Sequence, residues 1–249
     1  MKRINLFTAM FILMSFSLSG QNPTEIIRQA EQKFRGEKTS QSTMNMKIIR
    51  PTWERTITMK NWSKGRDKTL TLITAPAREE GQTFLKLGNE MWNWNPTIQR
   101  MIKLPPSMMS QGWMGSDWTN EDVLQESELV TDYDHSLLGT ESIQGYECYK
   151  IELQPHEDAA VVWGKIIIWI SEEAYMQLKA EYYDEDGYLV RTITSSDVQN
   201  IGGRNLPTHM EIIPADENGH KTIIEIKSMI FNEPISDGFF SQQNMKRVR

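Results

Sequence analysis

Residues 178–194, LKAEYYDEDGYLVRTIT, hold two alternating apolar and polar runs separated by Asp184-Glu185-Asp186-Gly187. Alternation puts one face of each run toward a core and the other toward water, and an Asp/Gly tetrapeptide between them is tight-turn chemistry. The stretch is therefore a β-hairpin, and the same grammar extends in both directions. Period-two runs precede it at 44–48, 56–62, 69–74, 83–87, 148–153 and 165–170, and follow it at 208–213 and 222–227. Glu217-Asn218-Gly219 is another tight turn, and Gly202-Gly203 serves a longer bend. Parallel strands would need a crossover of a dozen or more residues between neighbours, which these spacings do not supply. The expectation is a mainly β chain: a single antiparallel sheet of about eleven strands that curls into a half-barrel instead of staying flat.

A curled sheet has a concave face that must be covered. One cover is a helix near residue 22, where Asn22-Pro23 supplies a cap and a first-turn proline, Ile26, Ile27, Ala30 and Phe34 form an apolar stripe, and Gly36 marks the end. A short helix is expected over Thr119–Glu126, with Thr119 as cap and Asp122 in its first turn. The third cover is 91–118, MWNWNPTIQRMIKLPPSMMSQGWMGSDW, which holds four of the eight Trp and five of the fifteen Met between Pro96, Pro105, Pro106, Gly112 and Gly115. Read as a loop, it is far more apolar than surface loops are, so it either caps a core or binds something apolar.

Residues 1–20 have the three regions of a secretory signal peptide: Lys2 and Arg3, an apolar run from Leu6 to Leu18, and small residues before Gln21. Without them 25 Lys and Arg face 33 Asp and Glu, a net charge of −8 that does not favour nucleic acid or an anionic membrane surface. No repeat or low-complexity linker divides 21–249, which reads as one exported domain. Cys148, the sole cysteine, lies far from the cleavage region and sits in a strand-like run as a core residue.

The segments Pro76-Ala77-Arg78-Glu79-Glu80-Gly81-Gln82-Thr83-Phe84-Leu85, Met91-Trp92-Asn93-Trp94-Asn95-Pro96 with Arg100, and Gly115-Ser116-Asp117-Trp118-Thr119-Asn120-Glu121-Asp122 resemble the signature of the exported outer-membrane lipoprotein-sorting, LolA-like proteins. The resemblance runs in order from about residue 24 to Phe239-Phe240-Ser241 and Met245. It implies a half-barrel with helices plugging its mouth, a cavity for acyl chains and an Arg-Pro element early in the sheet, which Arg50-Pro51 echoes.

The residues themselves fit a lipid carrier. Moving one long acyl chain from bilayer to water costs about 12 kcal/mol at about 0.8 kcal/mol per methylene, so a carrier needs a dry, apolar cavity. Trp offers area at low entropy cost and Met repacks around chains of different length. The expected lipid contacts are Ile26, Ile27 and Phe34 of the helix, with Trp92, Trp94, Met101, Met108, Met109, Trp113, Met114 and Trp118 of the apolar segment. Trp53, Trp62, Trp163 and Trp169 read as core or sheet-face residues, and Gly115-Ser116-Asp117 as a turn feeding the second helix. Two other classes compete. Ser116 has no nucleophile-elbow context, and His135, His156, His209 and His220 lack metal-ligand spacing, so no catalytic site, metal or cofactor is expected. A carbohydrate-binding or envelope scaffold module would use exposed Trp as sugar platforms, which the Met content disfavours. The expectation is a monomeric periplasmic carrier of lipid or lipoprotein acyl chains, served by an inner-membrane transporter.

Overall fold

Asn22 opens the first helix: its carbonyl accepts from the backbone N–H groups of Glu25 (3.0 Å) and Ile26 (3.1 Å), and its side chain accepts from Thr24 (3.0 Å). In this computed structural model, which describes residues 21–35, 38–124, 128–159 and 161–249, the helix α1 spans Pro23–Arg35. It buries Ile26, Ile27 and Ala30. Arg204 donates to the carbonyls of Gln32 (3.1 Å) and Lys33 (3.0 Å), placing a cation where the helix dipole is negative. The expected signal peptide, the Gly36 helix stop and the end of the second helix at residues 125 and 126 lie outside the described residues. No described helix is long and apolar enough to cross a membrane.

The first run of strands is β1 (Thr39–Arg50), β2 (Trp53–Lys64), β3 (Lys68–Ala75), β4 (Thr83–Leu87), β5 (Glu90–Asn95) and β6 (Arg100–Lys103). After the short helix α2 (Asn120–Leu124) come β7 (Tyr133–Ile143), β8 (Tyr146–Pro155), β9 (Lys165–Ser171), β10 (Gln177–Tyr183), β11 (Leu189–Ile201), β12 (Arg204–Pro214) and β13 (Lys221–Phe231), and the chain ends on α3 (Gln242–Met245). All are antiparallel in a single open sheet of 13 strands, ordered β6-β5-β4-β3-β2-β1-β13-β12-β11-β10-β9-β8-β7. Two meanders thus meet where β1 pairs with β13. The turn between β10 and β11 closes as its sequence requires: Gly187 takes φ +84° and Asp184 Oδ1 accepts from the Tyr188 amide at 2.8 Å.

The strand count exceeds the expected eleven because β5, β6 and β7 carry weak local signals. Tyr133–Ile143 is mostly exposed and is interrupted by a register shift near Gly139, so it shows little alternation. The other two strands correct the reading of 91–118 as a continuous loop. Pro96 does not end the sheet; it sits in the hairpin turn between β5 and β6, where the Asn95 side chain accepts from the Thr97 amide at 3.0 Å. Cross-strand pairing of Leu85 with Trp92 and of Trp94 with Met101 extends the sheet where composition alone suggested a greasy loop.

Among the described residues three apolar clusters form the core. The largest lies on the concave face and includes Ile48, Ile57, Ile73, Ile151, Ile168 and Ile224, with Ile26, Ile27 and Trp113 packed onto it from the covering elements. A second, on the opposite face of β3 to β5, buries Leu70, Leu72 and Leu85 beneath Phe240, Met245 and Val248 of the C-terminal segment. A third surrounds Cys148, Trp169 and Leu178; Cys148 is fully buried there, and burial pushes its thiol up to about 11.

Candidate lipid-binding cavity

Because β6 and β7 are the two open edges of the sheet, the described chain between them, residues 104–124 and 128–132, covers the span from one edge to the other. It lies over the mouth of the half-barrel and packs Leu104, Met109, Met114, Trp118 and Val123 onto the concave-face cluster. Trp113 is the centre of this lid, 2% exposed, edge-on to Phe84 at 5.1 Å and to Trp118 at 6.3 Å.

The lid keeps its shape through a closed loop. The Trp113 amide donates to the Trp118 carbonyl (2.6 Å), Ser116 Oγ donates to the Trp113 carbonyl (2.7 Å), and the Asn120 amide donates to the Gln111 carbonyl (2.9 Å). Gly112 is required by contact: a Cβ there would lie 2.3 Å from the Ser116 carbonyl oxygen. Thr119 caps α2 reciprocally with Asp122, whose carboxylate accepts from the Thr119 amide (2.7 Å) while Thr119 Oγ1 accepts from the Asp122 amide (3.1 Å). The Gly-Ser-Asp element is therefore an integral part of this loop.

Arginines on the sheet rim hold the loop down. Arg50 at the end of β1 pairs with Asp117 (3.1 Å) and donates to the Gly115 carbonyl (2.8 Å). Arg55 donates to the Met114 carbonyl and pairs with Glu79 (3.1 Å). Thr222 Oγ1 of β13 donates to Asp117 Oδ2 (2.6 Å) and accepts from the Asp117 amide (2.9 Å). Arg191 of β11 grips Asp122 through two hydrogen bonds, between the rings of Trp163 and Tyr182 at 4.6 and 4.4 Å. Burial opposes the Arg191 charge, yet the Asp122 hydrogen bonds and charge outweigh it and hold the guanidinium above its ordinary range. Asp117, Glu217 and His220 bring potential ligand atoms within 4.8 Å of one another, but the Arg50 guanidinium on Asp117 opposes a cation there.

Beneath α1 and the lid lies a cavity of about 300 Å³, walled by Ile166, Ile168, Ile224, Met44, Met210 and Trp163 among others. A smaller chamber of about 100 Å³ adjoins it, with Phe34, Met44, Asn61, Trp118 and Ile226 facing both. Of the residues expected from sequence, Ile27, Phe34 and Trp118 line the cavity, and Trp113 lines the smaller chamber. Ile26 is buried in the core under α1, and Met109 and Met114 are half-buried against it. Met108 is half-buried in the turn before the loop, its carbonyl accepting from Asn120 Nδ2 at 2.8 Å. The structure does not bring Trp92, Trp94 and Met101 to the cavity: they face the other side of the sheet and pack with the C-terminal segment. Conversely, Trp163 lines the cavity from the connection between β8 and β9, not from a strand. Sequence reasoning drew its candidate contacts from the covers and named none of the sheet's inward residues. Alternation had marked these residues as half of each strand without revealing which half faces the hollow.

A family model described as an uncharacterized protein matches residues 65–247. The fold is that of a DUF1329 family protein from Desulfovibrio piger, 25% identical, TM-score 0.81, covering 90% of this chain and 97% of that one. A LolA superfamily protein from Nitrosomonas europaea is 25% identical at TM-score 0.74, with 89% and 98% covered. A putative outer membrane lipoprotein-sorting protein domain from Vibrio parahaemolyticus shares the fold at 22% identity and TM-score 0.79, with 90% and 98% covered. Among curated proteins there is no match.

Proposed function

We propose, from the fold it shares with a LolA superfamily protein and a lipoprotein-sorting domain, that this chain is a LolA-like, non-enzymatic periplasmic carrier that shields an acyl chain, free or on a lipoprotein, beneath its lid. The observation that carries this reading is the cavity of about 300 Å³ on the concave face, walled by Ile, Met and Trp. A chain held there escapes a transfer penalty of about 12 kcal/mol into water. Since such a cavity and a bilayer interior are similarly apolar, a modest change in the lid can tip the chain either way.

The latch is suited to that task. The ion pairs of Arg50 with Asp117 and of Arg191 with Asp122 tie the lid to the rim at separate strands. A partner that competes for these charges would release the lid without unfolding the sheet. On this reading an inner-membrane transporter loads the carrier and the cargo moves toward the outer membrane. A sugar-binding role has less support, since Trp92 and Trp94 pack with the C-terminal segment and do not stand free as ring platforms.

Native mass spectrometry of residues 21–249, purified from a periplasmic extract without detergent, tests the proposal. A bound mass that fragments to acyl chains is expected. An apo mass together with no uptake from phospholipid vesicles would overturn it.

A further inference from the structure

Along each of three adjacent strands the concave face changes character at the same level. On β1 it presents Ile48, Met46 and Met44, then Ser42 and Ser40. On β2, Ile57 and Met59 give way to Asn61 and Ser63, and on β3 Ile73 gives way to Thr71 and Thr69. Register aligns the polar ends: Ser42 faces Asn61, Ser40 faces Ser63, Asn61 faces Thr71, and Ser63 faces Thr69. The result is a block of hydroxyls and one amide, and it is the wall of the smaller chamber.

Burying such groups in an apolar hollow is unfavourable unless they find partners. Some partner one another, since Ser40 and Ser63 are 2.7 Å apart and Thr71 donates to Asn61 Oδ1 at 2.8 Å. Among the described residues, Ser42, Thr69 and the Asn61 Nδ2 amide have no partner. Ser42 is buried and lines the chamber. The charged groups nearby are matched in part: Glu31 keeps one buried carboxylate oxygen without a hydrogen-bond partner, and both it and Lys33 line the larger cavity. Arg66, at the chamber's edge, pairs with Glu128 at 2.9 Å and with Glu31, and Lys86, across from Thr69, is itself engaged.

We infer that the chamber formed by Ser42, Asn61 and Thr69 receives the uncharged, hydroxyl- or amide-bearing head of a single-chain amphiphile whose acyl chain lies in the larger cavity. This rests on the carrier reading and adds the cargo's chemistry and orientation: the head sits by the β2–β3 turn, between Phe34 of α1 and Trp113 and Trp118 of the lid, and the chain runs into the larger cavity toward Ile166, Ile168 and Ile193 of β9 and β11. The chamber's volume, about 100 Å³, is about a third of the larger cavity's 300 Å³, so the smaller chamber suits a compact head and the larger one the chain. The smaller chamber's free groups include two hydroxyls and an amide donor, which favour a head that both donates and accepts.

The test compares three sixteen-carbon ligands on the mature chain: 1-monopalmitoylglycerol, methyl palmitate and palmitate. The first should bind about tenfold more tightly than the second, as one or two added hydrogen bonds allow, and more tightly than the anion. Thr69→Val and Ser42→Ala, which preserve or reduce volume on strand positions, should erase that preference while methyl palmitate binding stays within about twofold. Equal binding of all three, palmitate binding tightest, or a preference that survives both substitutions would overturn the inference and leave the carrier reading standing. Absence of binding by any of them would remove the carrier reading itself, and this inference with it.

Discussion

Arg191 holds both carboxylate oxygens of Asp122 at 2.6 Å, joining the start of β11 to the helix inside the lid. The Arg191 side chain is only 4% exposed, so this is a buried pair whose members depend on each other. Removing one partner of such a pair leaves a stranded charge, whereas removing both can be nearly neutral.

Arg191→Met is accordingly expected to destabilise the protein by about 3 to 5 kcal/mol, and the double variant Arg191→Met/Asp122→Leu to regain most of that loss. Urea unfolding of the single and double variants measures it. Equal stability of the single and double variants would show that the pair is not coupled.

The two lid tryptophans should separate packing from binding. Trp113, almost wholly buried against Phe84, is a core residue by environment, and Trp113→Ala should lower stability by about 3 to 5 kcal/mol. Trp118 is half-buried and faces both chambers, so Trp118→Ala should lower stability less and weaken retention of a co-purifying acyl ligand more. Thermal unfolding and native mass spectrometry of both variants provide the comparison; a reversed order would contradict the placement of these rings.

Gly112→Ala tests the lid's close contact. Its Cβ would approach the Ser116 carbonyl oxygen to 2.3 Å, and backbone cannot yield as a flexible side chain would. A loss of about 1 to 3 kcal/mol is expected, with faster amide exchange at Trp113 and Asn120. Gly238→Ala, where a Cβ meets nothing within 4 Å, is the control and should change stability little.

Cys148 sets an alkaline limit. Burial pushes its thiol up from an ordinary value of 9.0 to about 11, so between those values the unfolded chain releases a proton that the folded chain keeps. Fewer protons bound in the unfolded state mean that stability falls as pH rises. The thiol's share of stability is therefore intact below about pH 9 and declines toward pH 11. Cys148→Ala should make the stability profile flatter across that window, as followed by urea midpoints at fixed pH values, and the intact protein should resist a thiol reagent until it unfolds. An unchanged slope would mean that the thiol is not titrating in this way.

Local sequence determined the sheet and its direction. Alternation within residues 178–194 and Gly187 in the turn admit a hairpin and little else, because a strand exposes its side chains with period two and a tight reversal needs a residue at home at φ +84°. The same local signals placed α1 and the Thr119 cap of α2. Tertiary structure decided which residues surround the cavity. Periodicity sorts a strand into two faces but does not say which face curves inward, so Trp92 and Trp94 were indistinguishable from Trp113 until cross-strand pairing turned them away from the hollow. It also decided what Asp117 and Asp122 do. As a sequence, GSDWTNED reads as a turn and a helix start; only the curl of the sheet brings Arg50, Thr222 and Arg191, from three distant strands, onto those two carboxylates. Such contacts depend on the angle through which many strands bend together, and no local window of the chain encodes that angle.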